Sequence, residues 1–136
     1  MSKARFTLTL IVIVSAILLP AAFSQKTDRE GKAWLDTCSA ASTLNVTGIW
    51  KDAKWGSMTL NQHADSRQVI GSGDGWIITG VASGTSVCLL FSDNAGRVAY
   101  SAKLTIDDSG ALTGSYGKGI LSDKSKTTSM RLVKSK

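Results

Sequence analysis

The sequence predicts an all-β fold, an eight-stranded antiparallel up-and-down barrel preceded by a short N-terminal helical segment. One observation is the alternation of apolar and polar residues with a period of two from Leu44 onward. The second is the turn-forming sequence between successive alternating runs. The third is a composition rich in glycine and poor in glutamate, with thirteen Gly and a single Glu. Because 43% of the residues are hydrophobic and 19% are charged, the composition excludes a disordered chain.

The first 24 residues have the pattern of a secretory signal peptide. Lys3 and Arg5 precede an apolar run over residues 6–20, and Ala22-Phe-Ser24 places small residues before a cleavage site. An uncleaved membrane anchor is the alternative, but the run is short for a span of about 20 residues. The mature chain is therefore expected to be secreted or periplasmic. Its length of about 112 residues suits one small domain and excludes a doubly wound enzyme or a (β/α)₈ barrel.

Residues 25–43 form an N-terminal segment of different character. Thr27 and Glu30 have the spacing of a capping box, and the following residues up to Ala41 include no Pro and only Gly31. This pattern predicts a short helix around residues 28–40, with Trp34 and Cys38 on one face. A loose leader is the alternative.

The two cysteines, Cys38 and Cys88, are expected to form a disulfide because an exported chain meets an oxidising compartment. Two buried free thiols are the alternative. In the strand 85–92, Cys88 alternates with inward residues and points to the outer face. The disulfide therefore requires the N-terminal segment to lie against the outside of the barrel wall, over Leu90.

The barrel domain is assigned to residues 44–136. The eight strands are predicted at 44–51, 55–62, 67–72, 76–82, 85–92, 97–106, 111–117 and 127–133. Closure into a barrel is favoured because it removes exposed strand edges. The inner face is predicted to carry Leu44, Val46, Trp50, Met58, Leu60, Ile78, Leu89, Leu104, Ile106, Leu112 and Leu132.

A weak internal repeat places a glycine in the middle of several strands, at Gly48, Gly71, Gly80 and Gly114. A glycine inside a strand usually marks a bend or a close approach. An inward glycine in a small barrel is expected to make room for a bulky side chain opposite. Chance glycines in generic β sequence are the alternative.

No catalytic or metal-binding constellation stands out, so the protein is not expected to be an enzyme and no cofactor or metal is predicted. His63 is the only histidine, which leaves a zinc site with too few ligands. The pair Asp107-Asp108 precedes Ser-Gly and is interpreted as a turn. Gly71-Ser-Gly-Asp-Gly75 lacks a following helix and is interpreted as a hairpin turn rather than a phosphate loop.

The C-terminal part is basic, with Lys118, Lys124, Lys126, Arg131, Lys134 and Lys136 against Asp123. Such a cluster is compatible with an anionic partner. However, the tail has no interleaved aromatic residues for base stacking, so nucleic acid is not expected. A solvated outer strand face is the preferred interpretation.

The run from Thr47-Gly-Ile-Trp50 to Gly56-Ser-Met-Thr-Leu60 resembles the opening of avidin and streptavidin-like biotin binders. Leu112-Thr-Gly-Ser-Tyr116 and the strand from Ser129 to Lys134 look like their last two strands, and the resemblance spans residues 44–133. Other calycin-like barrels also open with Gly-x-Trp. The resemblance implies the barrel fold.

The same resemblance argues against biotin as the ligand. Where the family has an Asn that holds the biotin ring, this chain has Asp52, and where it has a Tyr and a Trp, the matching residues are Gly73 and Leu112. Ser57 directly precedes Met58, so period two turns its hydroxyl away from the interior. Phe91 stands where another stacking Trp is found in the family.

The predicted function is non-catalytic binding of a small, partly apolar ligand at the open end of the barrel. Asp52, Trp55, Trp76 and Phe91 are the predicted ligand-binding residues. The alternative is a secreted protein-binding module, such as a protease inhibitor, acting through a hairpin or the N-terminal segment. An aromatic-lined cavity favours the first function and a filled barrel the second. The oligomeric state stays open.

Overall fold

The computed structural model describes residues 29–136, so the predicted signal peptide and Thr27 of the predicted capping box lie outside the described residues. Eight antiparallel strands close into a barrel in chain order, with the first strand pairing with the last. The strands are β1 Gly48–Asp52, β2 Gly56–Gln62, β3 Gln68–Gly73, β4 Trp76–Ser83, β5 Ser86–Ser92, β6 Val98–Ile106, β7 Leu112–Lys118 and β8 Thr128–Lys134. The predicted eight-stranded up-and-down barrel is therefore confirmed.

The strand ends agree with the sequence prediction to within one residue, except where β1 begins. The prediction placed the start at Leu44, whereas β1 begins at Gly48. Upstream of Gly48, the backbone is held by a side chain instead of a strand: Val46 N donates to Gln62 Oε1 at 2.9 Å, and Gln62 Nε2 donates to Leu44 O at 2.8 Å. The period of two continues through this segment because Val46 is buried and Leu44 packs against the core.

The barrel interior is filled by the inward-facing side chains of all eight strands. Every residue predicted for the inner face is buried, except Leu44 and Ile106, which are half-buried and pack against the same core. The core consists of Val46, Trp50, Trp55, Met58, Leu60, Val69, Ile78, Val87, Leu89, Phe91, Ala102, Leu104, Leu112, Tyr116, Met130 and Leu132. Burial of these apolar surfaces is the main source of stability.

Three mid-strand glycines allow close approach between neighbouring strands. Gly71 pairs with Leu60, Gly80 pairs with Leu89, and Gly114 pairs with Leu104. A Cβ atom added at any of these glycines would lie within 3.3 Å of the Cα of the paired leucine. It would also clash with the backbone oxygen of the residue that precedes this leucine. The expectation that inward glycines face bulky side chains is confirmed at these three pairs.

The helical segment is shorter than predicted. Helix α1 covers residues 29–36, whereas the sequence predicted residues 28–40. The chain turns after Asp36, where Thr37 N donates to Trp34 O at 3.1 Å and Cys38 N donates to Leu35 O at 2.9 Å. These bonds join residues three apart and end the helix in a tight turn. Among the described residues, no helix is long and apolar enough to cross a membrane.

The disulfide between Cys38 and Cys88 is formed, with the two Cα atoms 6.8 Å apart. Cys88 lies on the outer face of β5 and is nevertheless fully buried. Helix α1 covers the neighbouring part of the wall, since a Cβ at Gly31 would meet Leu90, Val98 and Ile120. The predicted docking of the N-terminal segment over Leu90 is therefore confirmed.

The two ends of the barrel differ in their covering. We define the closed end as the one where β1 begins, together with the turns 63–67, 84–85 and 107–111. Residues 40–46 pass along it: Ala40 N donates to Ser83 Oγ at 3.0 Å, and Ser42 Oγ donates to Gly84 O at 2.6 Å. We define the open end by the connections 53–55, 74–75, 93–97 and 119–127.

Candidate functional site

Five aromatic side chains meet at the open end of the barrel. We define the aromatic cluster as Trp55, Trp76, Phe91, Tyr100 and Tyr116. Trp55 is central, with its ring centroid 4.6 Å from that of Phe91, 5.1 Å from Tyr116, 5.4 Å from Tyr100 and 6.5 Å from Trp76. The two tyrosines meet Trp55 edge to face, a favoured geometry for aromatic pairs. Trp55 thus forms a lid on the core and a floor for the space above it.

The turn between β1 and β2 fixes the position of Trp55. Asp52 Oδ1 accepts hydrogen bonds from the backbone N of Lys54 at 2.7 Å and of Trp55 at 2.9 Å. This arrangement is an Asx turn, in which the carboxylate replaces a backbone acceptor. Gly56 has a φ of 74°, a conformation that favours glycine, and begins β2. The short turn folds the indole of Trp55 back over the barrel, where only 9% of the residue stays exposed.

The turn between β3 and β4 places Trp76 at the rim. Asp74 and Gly75 both have positive φ, 49° and 81°, as expected for a two-residue hairpin turn. The predicted hairpin turn is confirmed. Trp76 begins β4 half-buried, and its ring meets that of Tyr100 edge to face at 5.7 Å. One part of the Trp76 side chain is therefore accessible from the open end.

The connection between β7 and β8 is fastened to the barrel by a buried hydroxyl. Ser101 is fully buried; its Oγ donates to Gly119 O at 2.8 Å and accepts from Leu121 N at 2.9 Å. A Cβ added at Gly117 would meet Leu121 and the backbone oxygen of Lys126. This anchoring brings the later part of the connection over the open end.

Together these elements enclose a pocket of about 610 Å³ at the open end. Its lining consists of Lys54, Trp55, Asp74, Trp76, Tyr100, Tyr116, Gly117, Lys118, Ser125, Lys126 and Thr128. The volume lies within the range of small-molecule sites, roughly 300–1,000 Å³. Aromatic rings form the floor, and exposed lysines surround it. We call this space the mouth pocket.

The Lys54 ammonium and the Tyr116 ring are close together at the rim of the mouth pocket. Lys54 Nζ lies 5.7 Å from the centroid of the Tyr116 ring. Hydrogen bonding from Lys54 to the hydroxyl oxygen lowers the pKa of Tyr116, and the same interaction raises the pKa of Lys54. Both shifts have the sign expected when a cation stands beside a phenol.

The predicted ligand-binding residues separate into two groups. Trp55 and Trp76 line the mouth pocket. Asp52 lies outside the lining and uses its carboxylate in the turn, where Oδ2 also accepts from Arg131 N at 3.3 Å. Phe91 is fully buried beneath Trp55. Ligand binding by any of these residues stays a prediction.

Several lining residues were not predicted from the sequence. Tyr100 and Tyr116 fall on the inner face by period two, but this pattern does not show which inward residues lie at an end of the barrel. Lys118 and Lys126 were interpreted as part of a solvated basic tail, but both line the mouth pocket. No sequence pattern indicated Lys54 as a ligand-binding residue, although it directly precedes the predicted Trp55.

Three positions compared with avidins in the sequence analysis, Ser57, Gly73 and Leu112, either face outward or lie in close packing. Ser57 is exposed while Met58 is buried, so the hydroxyl faces outward as period two predicted. Leu112 is fully buried. A Cβ at Gly73 would lie 2.6 Å from Met58 Cβ, so no larger residue fits there without a shift.

The turns and the single histidine are placed as the sequence indicated. Asp107 Oδ1 accepts from Ser109 N at 2.9 Å and Ala111 N at 3.0 Å, so Asp107-Asp108 forms a turn as predicted. His63 is exposed, next to the turn between β2 and β3. Within residues 29–136, no group of three or more His, Cys, Asp or Glu side chains is arranged to hold a metal ion.

Comparison with known proteins identifies no relative. No family model matches the sequence, and no curated protein or solved structure matches the chain significantly. The closed eight-stranded antiparallel barrel itself is compatible with a calycin-like small barrel.

Proposed function

We propose that the protein binds a small, partly apolar ligand in the mouth pocket, without catalysis. The observation that carries this proposal is the pocket of about 610 Å³ above an aromatic floor at one end of a closed barrel. Small-molecule sites are typically concave, largely apolar and lined by a few polar groups. The mouth of a β-barrel is one of their usual places.

The floor of the mouth pocket is preformed, which favours binding. The hydrogen bonds of Asp52 hold the backbone of Trp55, and four other rings surround its indole. Trp76 and Tyr100 are half-buried, so they stay accessible while their packing restricts them. A fixed site loses less conformational entropy on binding than a flexible one. We therefore expect a ligand with a flat, apolar part that stacks on these rings.

Binding without catalysis and export from the cytoplasm are both part of the proposal. The described lining holds lysines, tyrosines and one aspartate, and includes no histidine, cysteine or glutamate. The Cys38–Cys88 disulfide supports export, because disulfides persist mainly in oxidising compartments. We propose that the protein is secreted or periplasmic.

We propose an avidin-like arrangement of strands with a different ligand. Asp52 is used in a turn, Leu112 is buried in the core and Gly73 has no side chain. Losing several buried hydrogen bonds and stacking contacts, at about 1–3 kcal/mol each, removes most of an avidin-like affinity. Calorimetry is expected to give no biotin binding tighter than about micromolar, a limit that follows from those losses. Nanomolar biotin binding would contradict this expectation.

The proposed function is tested with a neutral planar probe, 2-naphthamide, titrated by calorimetry. We expect binding to the wild-type protein and a loss of at least about tenfold in affinity in Trp76→Ala, equivalent to about 1.4 kcal/mol. Trp34→Ala is the matched control, because Trp34 lies on helix α1, outside the mouth pocket. Absence of binding, or equal losses in the two variants, would contradict the proposal.

A second candidate, a protein-binding module such as a protease inhibitor, is favoured by two observations. The barrel interior is filled by side chains. The outer wall also exposes Ile49, Ile70, Ile77 and Val133, each between 45% and 50% accessible. Ile49 and Ile77 lie in one row of cross-strand partners from β1 to β4, in which Thr59 of β2 and Ser72 of β3 separate them. Exposed apolar side chains on the outer wall are candidates for contact with a protein partner.

The second candidate has a separate test. Purified serine, cysteine and metalloproteases are each titrated with the protein. Stoichiometric inhibition that is lost in Ile49→Lys/Ile77→Lys and kept in Trp76→Ala would support a protein-binding wall. Absence of inhibition at a tenfold molar excess would remove the protease-inhibitor form of this candidate.

A further inference from the structure

We infer that the ligand of the mouth pocket is an aromatic acid, a small molecule whose flat ring is joined to an anionic group. This inference rests on the proposed function, because it concerns the same pocket. It adds the charge of the ligand, which the aromatic floor alone does not specify.

The first argument is the convergence of three lysines that are distant in sequence. Lys54 belongs to the turn between β1 and β2, Lys118 ends β7, and Lys126 lies in the connection between β7 and β8. All three line the mouth pocket, and Asp74 is the only carboxylate in the described lining. The lining therefore has an excess of two positive charges. A cleft lined by one sign of charge attracts ligands of the opposite sign.

The second argument is that these lysines are not neutralised by carboxylates. Arg97 and Asp93 form an ion pair in the turn between β5 and β6, with 3.5 Å between Nε and Oδ2. None of the three pocket lysines is in such a pair, and all three are exposed. An anionic ligand group can therefore bind their ammonium groups without first breaking a salt bridge.

The third argument is the short distance between the charge and the aromatic floor. Lys54 Nζ lies 5.7 Å from the centroid of the Tyr116 ring, which itself contacts the rings of Trp55 and Tyr100. An anionic group beside Lys54 and a ring resting on the floor are thus within the dimensions of one small molecule. The hydroxyl groups of Ser125 and Thr128, also on the lining, are further hydrogen-bond partners for an anion.

The experiment compares 2-naphthoate with 2-naphthamide, which share a ring and differ in charge. Calorimetry is performed on the wild-type protein, on Lys54→Gln/Lys126→Gln and on Lys51→Gln/Lys103→Gln. The last variant is the matched control, because Lys51 and Lys103 are exposed and lie outside the mouth-pocket lining. Both variants remove two positive charges, so the net charge of the protein changes equally.

We expect 2-naphthoate to bind at least about tenfold more tightly than 2-naphthamide at low salt, and this preference to decrease as salt screens the exposed charges. Lys54→Gln/Lys126→Gln should lose the preference, because its affinity for 2-naphthoate falls by a larger factor than its affinity for 2-naphthamide. The control variant should keep the preference. The fluorescence of the pocket tryptophans provides a second readout of the same titrations.

Three outcomes would overturn the inference. Equal affinity for the two compounds would refute an anionic ligand while leaving the proposed function intact. A preference that is lost equally in the control variant would show that net charge, and not the pocket, attracts the acid. Failure of both compounds to bind would refute the proposed function together with this inference.

Discussion

The closed and open ends of the barrel, which are formed by the same eight strands, differ in how they cover the core. At the closed end, Gln62 hydrogen-bonds the backbone of residues 44–46, and the chain seals the core with Val46. At the open end, the aromatic side chain of Trp55 covers the core. The closed end thus covers the core with backbone and the buried Val46, whereas the open end leaves rings partly accessible beside lysines.

The difference teaches which residues are expected to matter for stability and which for binding. Residues at the closed end are buried and hydrogen-bonded, so truncating them should reduce the free energy of unfolding. Apart from the buried Trp55, Tyr116 and Gly117, the residues that line the mouth pocket are half-buried or exposed, so truncating these residues should alter binding more than folding. The following predictions test this division, from the largest expected effect to the smallest.

The largest expected effect compares two tryptophans. Trp50 is 2% exposed, and its Nε1 donates to Val46 O at 2.8 Å, whereas Trp76 is half-buried. Trp50→Ala should lower the free energy of unfolding by roughly 3–5 kcal/mol. Trp76→Ala should lower it by less than half of that amount. Urea denaturation followed by circular dichroism measures both, and equal losses would contradict the division between the ends.

The disulfide should contribute nearly as much. It joins residues 50 apart and fixes the segment that continues into the closed end. In the chain-entropy model such a crosslink contributes about 4 kcal/mol. Cys38→Ala/Cys88→Ala should therefore lower the urea midpoint strongly and leave ligand affinity at the mouth pocket unchanged. A variant with wild-type stability would show that the N-terminal segment docks without need of the crosslink.

Gln62 should have a smaller effect that is specific to the closed end. Its amide bonds Val46 N, Leu44 O and Ser66 O. Gln62→Ala leaves these partners unsatisfied and should cost about 2–3 kcal/mol. Asn61→Ala is the matched control, because Asn61 is exposed on the outer face of β2. Similar melting temperatures for the two variants would show that water replaces the amide at this end.

The smallest effect concerns the acid sensitivity of two equivalent turns. Backbone hydrogen bonding from Arg97 lowers the pKa of Asp93 at the open end, and hydrogen bonding from the Ser109 side chain lowers the pKa of Asp107 at the closed end. The pKa of each carboxyl in the folded state lies below the ordinary value of 3.8. Each ionised carboxylate therefore stabilises the folded protein above that pH, and this stabilisation is lost as the pH falls through the lowered pKa.

Asp93→Asn and Asp107→Asn should each lower the melting temperature slightly at neutral pH. Both differences from the wild type should disappear in strong acid. Melting curves recorded by circular dichroism from neutral to acidic pH measure this. A difference that persists undiminished in acid would show that the carboxylate charge is not what stabilises these turns.

The sequence predicted most of the strands because each has an apolar inner face and a turn at either end. The exceptions have physical causes. The start of β1 was placed at Leu44 because alternating apolar residues indicate which side chains face the core, not which residues pair in a strand. Leu44 and Val46 face the core, but their segment is held by Gln62 and does not belong to a strand. Helix α1 ends at residue 36 rather than 40 because Thr37 and Cys38 form a tight turn that no Gly or Pro signals.

The candidate site was less predictable than the fold. Trp55 and Trp76 were predicted as ligand-binding residues because aromatic side chains can line a pocket at the mouth of an eight-stranded barrel. Lys118 and Lys126 were not, because their place depends on how Ser101 anchors the connection between β7 and β8, a contact between residues 18 and 20 apart. Asp52 was expected to contact a ligand at the mouth of the barrel, but its Oδ1 accepts from its own turn and its Oδ2 accepts from Arg131 N.

The most direct test of binding at the open end is an NMR titration of ¹⁵N-labelled protein with 2-naphthoate. Four tryptophan indole N–H signals report on four places in the molecule. We predict that the signals of Trp55 and Trp76 shift with the ligand while those of Trp50, in the core, and Trp34, on helix α1, stay in place. Shifts of Trp50 and of the backbone amides of residues 44–46, with Trp55 and Trp76 unaffected, would contradict the account.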